Sequence, residues 1–203
     1  MKTKFLKLSL LALVLFTASC SNDDDNADNE TIPEVQTVKA TNISARDGFT
    51  KFSFSENKVV TTDKWDIAFS GTTIIVNGGA KFNPESAEEP ARTGQAAVSI
   101  VSNTFAAVTA FPEATTFKQD AASVYAIPTG SGNGWYSYNM TSHLISPVAG
   151  KVFVVKTHDG KYAKFEILSY YKDAPLTPDP LNLEATKYYT FNFAYQANST
   201  TTF

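Results

Sequence analysis

From Val35 onward the chain alternates apolar and polar residues in short runs, separated by Gly, Pro, Asn and Asp at intervals too close for helices. The pattern is sharpest in residues 185–196, where Tyr189, Phe191, Phe193 and Tyr195 fall on one parity and Thr190, Asn192 and Gln196 on the other. Successive side chains of a strand point to opposite faces of the sheet, so this period of two marks a half-buried strand whose aromatic face belongs to the core. The same reading places strands at residues 35–40, 50–55, 58–62, 64–70, 72–77, 96–102 and 123–127. Residues 151–157 and 161–171 form a hairpin around His158-Asp159-Gly160, whose glycine can take the positive φ of a tight turn. Residues 135–138 read as a short strand running into the polar loop Asn139-Met140-Thr141-Ser142-His143. No helix longer than a turn or two and no internal repeat is expected. Many strands at short spacing predict one all-β, antiparallel domain over residues 35–203.

Two stretches break the pattern. Residues 78–94 hold Pro84, Pro90, Glu85, Glu88 and Glu89, and residues 173–180 hold three prolines. The first is long enough to be a functional or mobile loop, with its carboxylates on a solvated face.

The start of the chain differs in kind. Lys2, Lys4 and Lys7 precede an apolar run at residues 8–16, and Thr17-Ala18-Ser19 lead to Cys20, the sole cysteine. That run is too short to cross a bilayer core of ~30 Å, so residues 1–19 read as a secretory signal. Its end resembles a bacterial lipobox, which makes Cys20 the lipidated N-terminus and membrane anchor of the mature chain. Residues 20–34 are acidic and poor in apolar side chains, the composition of a flexible tether. With no second cysteine there is no disulfide framework, and the core must hold itself together. The formal charge of −3 becomes about −6 once the leader's lysines are removed, which argues against a nucleic-acid partner.

Catalytic patterns are missing from the sequence. There are two histidines: His158, expected to be exposed at the hairpin turn with no charged partner, and His143. No nucleophile elbow, phosphate-binding glycine loop, His-Glu-x-x-His or zinc-ligand spacing occurs. An exported hydrolase with no visible motif is the remaining enzyme reading. Met140, the one methionine beyond the initiator, is either a flexible filler of an apolar gap or a soft sulfur donor.

The order Trp65-Asp66-Ile67-Ala68-Phe69, then Gly134-Trp135 leading to Met140, then Val152-Phe153-Val154-Val155 with its Asp159-Gly160 turn, resembles the HmuY family of haem-binding surface lipoproteins of Bacteroidetes-type bacteria. The likeness runs over residues 35–196. It implies an HmuY-type all-β fold, haem as transported ligand, and Met140 sulfur as an axial ligand to the haem iron. His143 is the other candidate ligand, although on an extended strand it would face away from Met140. Trp135, Tyr136 and Tyr138 would wall the porphyrin slot, with residues 78–94 near its mouth; core packing is their alternative role. The family's second ligand usually comes from a segment ahead of the Gly-Trp strand, but here residues 111–133 contain neither His nor Met. The resemblance further implies a lipid-anchored outer-membrane protein at the cell surface, with the acidic cluster after Cys20 as export signal. Such a protein would take haem from host haemoproteins and pass it to a TonB-dependent receptor, with no bond made or broken. Another tetrapyrrole or a glycan in the same mouth is the alternative ligand, and a homo-oligomer is left open.

Overall fold

The computed structural model describes residues 35–198 and 200–203. The signal segment, Cys20 and the acidic tether lie outside the described residues. Eleven strands follow in chain order: β1 Thr37–Ser44, β2 Thr50–Ser53, β3 Lys58–Val59, β4 Ile67–Ser70, β5 Thr73–Val76, β6 Ala97–Ser102, β7 Tyr136–Tyr138, β8 Ile145–Pro147, β9 Lys151–Lys156, β10 Tyr162–Tyr171 and β11 Thr186–Gln196. The only helical pieces among the described residues are two 3₁₀ turns, Ala114–Thr116 and Leu183–Ala185. All strand pairs are antiparallel, as the close spacing of the runs predicts.

A five-stranded sheet in the order β1-β11-β10-β9-β6 faces a four-stranded sheet, β3-β2-β4-β5, while β7 and β8 make a separate two-stranded ribbon. The aromatic parity of β11 points inward. Tyr189, Phe191 and Phe193 are buried, Tyr195 packs at their margin, and Phe153 and Phe165 join them from the neighbouring strands. Phe52, Phe54 and Phe69 meet them from the smaller sheet, with Phe52 edge-on to Phe191 at 5.2 Å and Phe153 stacked on Phe165 at 4.9 Å. Rings in such offset and edge-on pairs gain quadrupole attraction beyond the area they bury.

The outer face of the large sheet is covered where alternation predicts solvent. Val152 and Val154 pack beneath Val108, Phe105 and Phe203, and Thr190 and Gln196 are buried. Lys164 is buried too: its Nζ donates to the carbonyls of Phe105 (3.0 Å) and Val108 (2.7 Å) and lies 4.6 Å from the centre of the Phe105 ring. Burial pushes its pKa down.

Several local expectations change. Residues 123–127 form no strand; Ala126 and Ile127 are buried, and the Ala126 N–H is taken by the Asp120 carboxylate at 2.9 Å instead of a ladder. β3 stops after two residues, and β4 begins at Ile67, the Trp65 carbonyl ahead of it being taken by the Asn77 side-chain amide at 2.8 Å. β1 runs to Ser44 across a bulge at Asn42, whose φ is 56°. Gly160 has φ 81°, as the turn requires.

The loop at residues 78–94 is not a solvated carboxylate surface throughout. Glu85 and Glu88 are exposed, but Glu89 is buried and accepts from the Phe82 N–H (2.9 Å) and the Tyr125 hydroxyl (2.8 Å). Arg92 links it to buried Asp120, its Nη2 lying 3.6 Å from Glu89 and 2.9 Å from Asp120. A desolvated ion network of this kind fixes the loop, since removing one member leaves a charge uncompensated.

His158 also departs from expectation. Its backbone N–H (2.9 Å) and ring Nδ1 (2.8 Å) both reach Oδ1 of Asp66, which is fully buried. The hairpin turn is therefore clipped to the start of β4.

Candidate functional site

The β7–β8 ribbon carries the candidate donors. Its entry is built on a close approach: a Cβ on Gly134 would lie 1.9 Å from the carbonyl oxygen of Pro128, so only glycine fits there. Trp135 follows and turns into the core. It is 1% exposed, donates from Nε1 to the Thr72 carbonyl at 2.8 Å, and packs against Tyr189 (5.1 Å) and Tyr170 (5.5 Å). Burial pushes the phenol pKa of both tyrosines up. Trp135 is thus a buried anchor of the ribbon and not the wall of an open slot. Tyr136 is half-buried at the edge of the same cluster.

Beyond Tyr136 the ribbon leaves the core. Tyr136, Ser137 and Tyr138 pair with Pro147, Ser146 and Ile145, and the Ile145 N–H donates to the Tyr171 hydroxyl at 3.0 Å, tying β8 to β10. The tip closes with the Asn139 N–H donating to the Leu144 carbonyl at 2.9 Å. Inside it, Oδ1 of Asn139 accepts from the backbone N–H groups of Thr141 and Ser142, both at 2.9 Å. Asparagine commonly caps a tight turn in this way. His143 then takes φ 59°, a left-handed conformation that side-chain-bearing residues seldom adopt.

This reversal overturns the extended-strand expectation that separated Met140 from His143. Both stand on one turn and both are exposed, Met140 at 82%. Gap-filling by Met140 is contradicted by that exposure. Tyr138, 40% exposed, places its hydroxyl 2.7 Å from Nδ1 of His143. The structure pairs Tyr138 with His143, sets Met140 on the same exposed turn and Tyr136 at the rim, and places Trp135 in the core. Sequence reading missed Asn139 as the residue that forms the turn and the Tyr138 phenol as partner of the imidazole. An Asn two and three positions ahead of Thr141 and Ser142 was the available signal for the turn.

Chemically the tip offers one soft thioether and one imidazole at the surface, donors that suit an iron porphyrin better than a hard cation. Among the described residues no three His, Cys, Asp or Glu side chains cluster to hold a bare metal ion, and no helix is long and apolar enough to cross a membrane. Two open grooves of about 360 and 430 Å³ lie against β6 and the 114–119 segment, away from the tip.

Among the described residues, two packed antiparallel sheets and a two-stranded ribbon define an all-β protein. The profile of the family described as HmuY protein matches residues 45–193, well over half of the chain. The chain belongs to the HmuY family, a family of binding proteins. Among solved structures it is similar to the apo HmuY analog of Tannerella forsythia, with a TM-score of 0.51 and 14% identity over 83% of this chain and 100% of that one. It is also similar to a Bacteroides fragilis protein described as a lipoprotein (TM-score 0.47, 13% identity, 80% and 91% covered). A third similar structure is a Bacteroides vulgatus protein described as HmuY-like and heme-binding (0.45, 16%, 81% and 93%). At these identities the first likeness bears on the fold alone. Comparison with curated protein sequences gave no match.

Proposed function

We propose that this chain binds haem at the tip of the β7–β8 ribbon, as a lipoprotein anchored through Cys20 at the outer surface of the cell. It takes haem from host haemoproteins and hands it to a TonB-dependent outer-membrane receptor. The observation that carries the reading is the exposed Met140 thioether on the same turn as the His143 imidazole, in a ribbon anchored to the core by Trp135, in a chain of the HmuY family. A donor on a rigid, protruding ribbon reaches a planar ligand without rearrangement of the core, which limits the ordering cost of binding. Axial ligation is reversible, so the same bond that captures the ligand permits its transfer.

The test is an absorption titration of the purified protein with haem in the Soret region, beside iron-free protoporphyrin. A saturable haem complex, with the iron-free ring binding at least about tenfold more weakly because no axial bond forms, is expected. No saturable complex in either the ferric or the ferrous state would refute the reading. Equal affinity for the iron-free ring would replace haem with a general tetrapyrrole ligand.

A further inference from the structure

We propose that Met140 and His143 serve one axial position in turn, imidazole for ferric iron and thioether for ferrous iron, and that Tyr138 is the positioning residue that readies the imidazole. The inference rests on the haem reading and concerns how the same tip would use its two donors.

Asn139 and Leu144 are joined by a backbone hydrogen bond, and the Asn139 side chain ties down the N–H groups of Thr141 and Ser142. Met140 and His143 therefore leave the same short, closed reversal. For the two side chains to reach opposite faces of a porphyrin, the backbone between them would have to pass around the edge of the macrocycle. A reversal closed by those bonds is too short for that, so both donors approach one face, and one face of an iron porphyrin has a single axial site. They are alternatives and not a pair.

What decides between them is the metal's hardness. Reduced iron favours the soft sulfur and oxidised iron the nitrogen. The imidazole competes only if a nitrogen with a free electron pair faces outward. The Tyr138 hydroxyl, 2.7 Å from Nδ1, meets that condition in one of the two directions the contact allows: when Nδ1–H donates to the phenol oxygen, Nε2 is left unprotonated. Tyr138 stands on β7 and His143 just past the reversal, at φ 59°, so the unusual backbone at His143 brings the ring back to the phenol. Met140 has no such partner among the described side-chain hydrogen bonds and remains free to swing in.

The experiment titrates wild type, His143→Ala, Met140→Ala and Tyr138→Phe with haem in oxidised and dithionite-reduced buffer, and records the imidazole nitrogen resonances of the haem-free proteins. His143→Ala should lose ferric affinity by about tenfold or more and keep ferrous affinity within about twofold; Met140→Ala should do the reverse. Tyr138→Phe should lower ferric affinity by about tenfold, spare ferrous affinity, and shift His143 from the Nδ1–H towards the Nε2–H tautomer before any haem is added. Loss of both oxidation states in the same single variant, or equal losses in both alanine variants, would overturn the alternation while haem binding itself stands. Unchanged tautomer and unchanged ferric affinity in Tyr138→Phe would overturn the positioning role. A wild type that binds haem in neither state refutes the haem reading itself and this inference with it.

Discussion

Replacing His158 by Ala should destabilise the fold although the residue sits at a hairpin turn. The buried carboxylate of Asp66 accepts at Oδ1 from the His158 N–H (2.9 Å) and from its ring Nδ1 (2.8 Å), and at Oδ2 from the Phe54 N–H (2.7 Å). Alanine keeps both backbone donors and deletes only the imidazole. A hydrogen bond to a charged group is worth about 1.5–3 kcal/mol. Because the His158 side chain is 17% exposed, water recovers part of that, and about 1.5 kcal/mol is the expected loss. For a domain of this size that is a fall of about 3–6 °C in melting midpoint. Thermal unfolding followed by circular dichroism at neutral pH measures it, and a midpoint within about 1 °C of wild type would refute the reasoning. The acid partner gives a second handle. Burial raises the Asp66 pKa from 3.8, opposed by the donors from His158 and Phe54. A carboxyl whose folded value is raised contributes stability below its unfolded value and loses it as pH rises through the folded value. Wild type should therefore lose ground to Asp66→Asn as pH rises from about 4. A difference that stays flat or grows in favour of wild type over that range would contradict the direction.

Gly160→Val should cost about 1 kcal/mol or more, and Gly160→Asn less, because no atom lies within 4 Å of a Cβ there and the penalty is that of φ 81° alone; equal melting midpoints for wild type and Gly160→Val would sink this. Lys164→Met keeps the apolar stem but strips the donors from the Phe105 and Val108 carbonyls, with an expected loss of about 2 kcal/mol and faster amide exchange across residues 104–108. Unaltered exchange there would show that Lys164 does not hold the segment down. Cys20→Ser should leave the membrane fraction while its melting midpoint matches wild type, and recovery of the variant in membranes at wild-type levels contradicts lipidation.

The parts of the fold legible in the sequence were those whose signal is local. The parity of Tyr189, Phe191 and Phe193 reports one strand facing one core, and Asp159-Gly160 reports a turn from its own two residues. β8 escaped notice because three residues containing Pro147 carry no period, and only pairing with β7 makes them a strand. Residues 123–127 misled for the opposite reason: their composition suits a strand, but the Asp120 carboxylate takes the Ala126 N–H that a ladder would need. Asp66 and His158 lie far apart in the chain, as do Glu89 and Tyr125, and no one-dimensional pattern marks such pairs as partners. At the ribbon tip the donor types were readable from composition, but the geometry was not, since an extended reading of residues 139–143 set Met140 and His143 apart and the Asn139 turn reunites them.

The strand order has a consequence for how the protein acquires its structure. β11 is the sole partner of β1 and also the partner of β10, so the large sheet closes only when its first and last strands in sequence meet. Loop-closure entropy must be met before such distant pairings gain anything, and folding dominated by them is slow. A growing or threading chain of this topology stays open until Thr186–Gln196 has emerged, holding β1 without a neighbour and the aromatic core incomplete. Late closure exposes Phe153 and Phe165 to aggregation throughout the wait. A truncation that stops short of β11 should thus yield a chain unable to finish folding, and not a smaller stable domain.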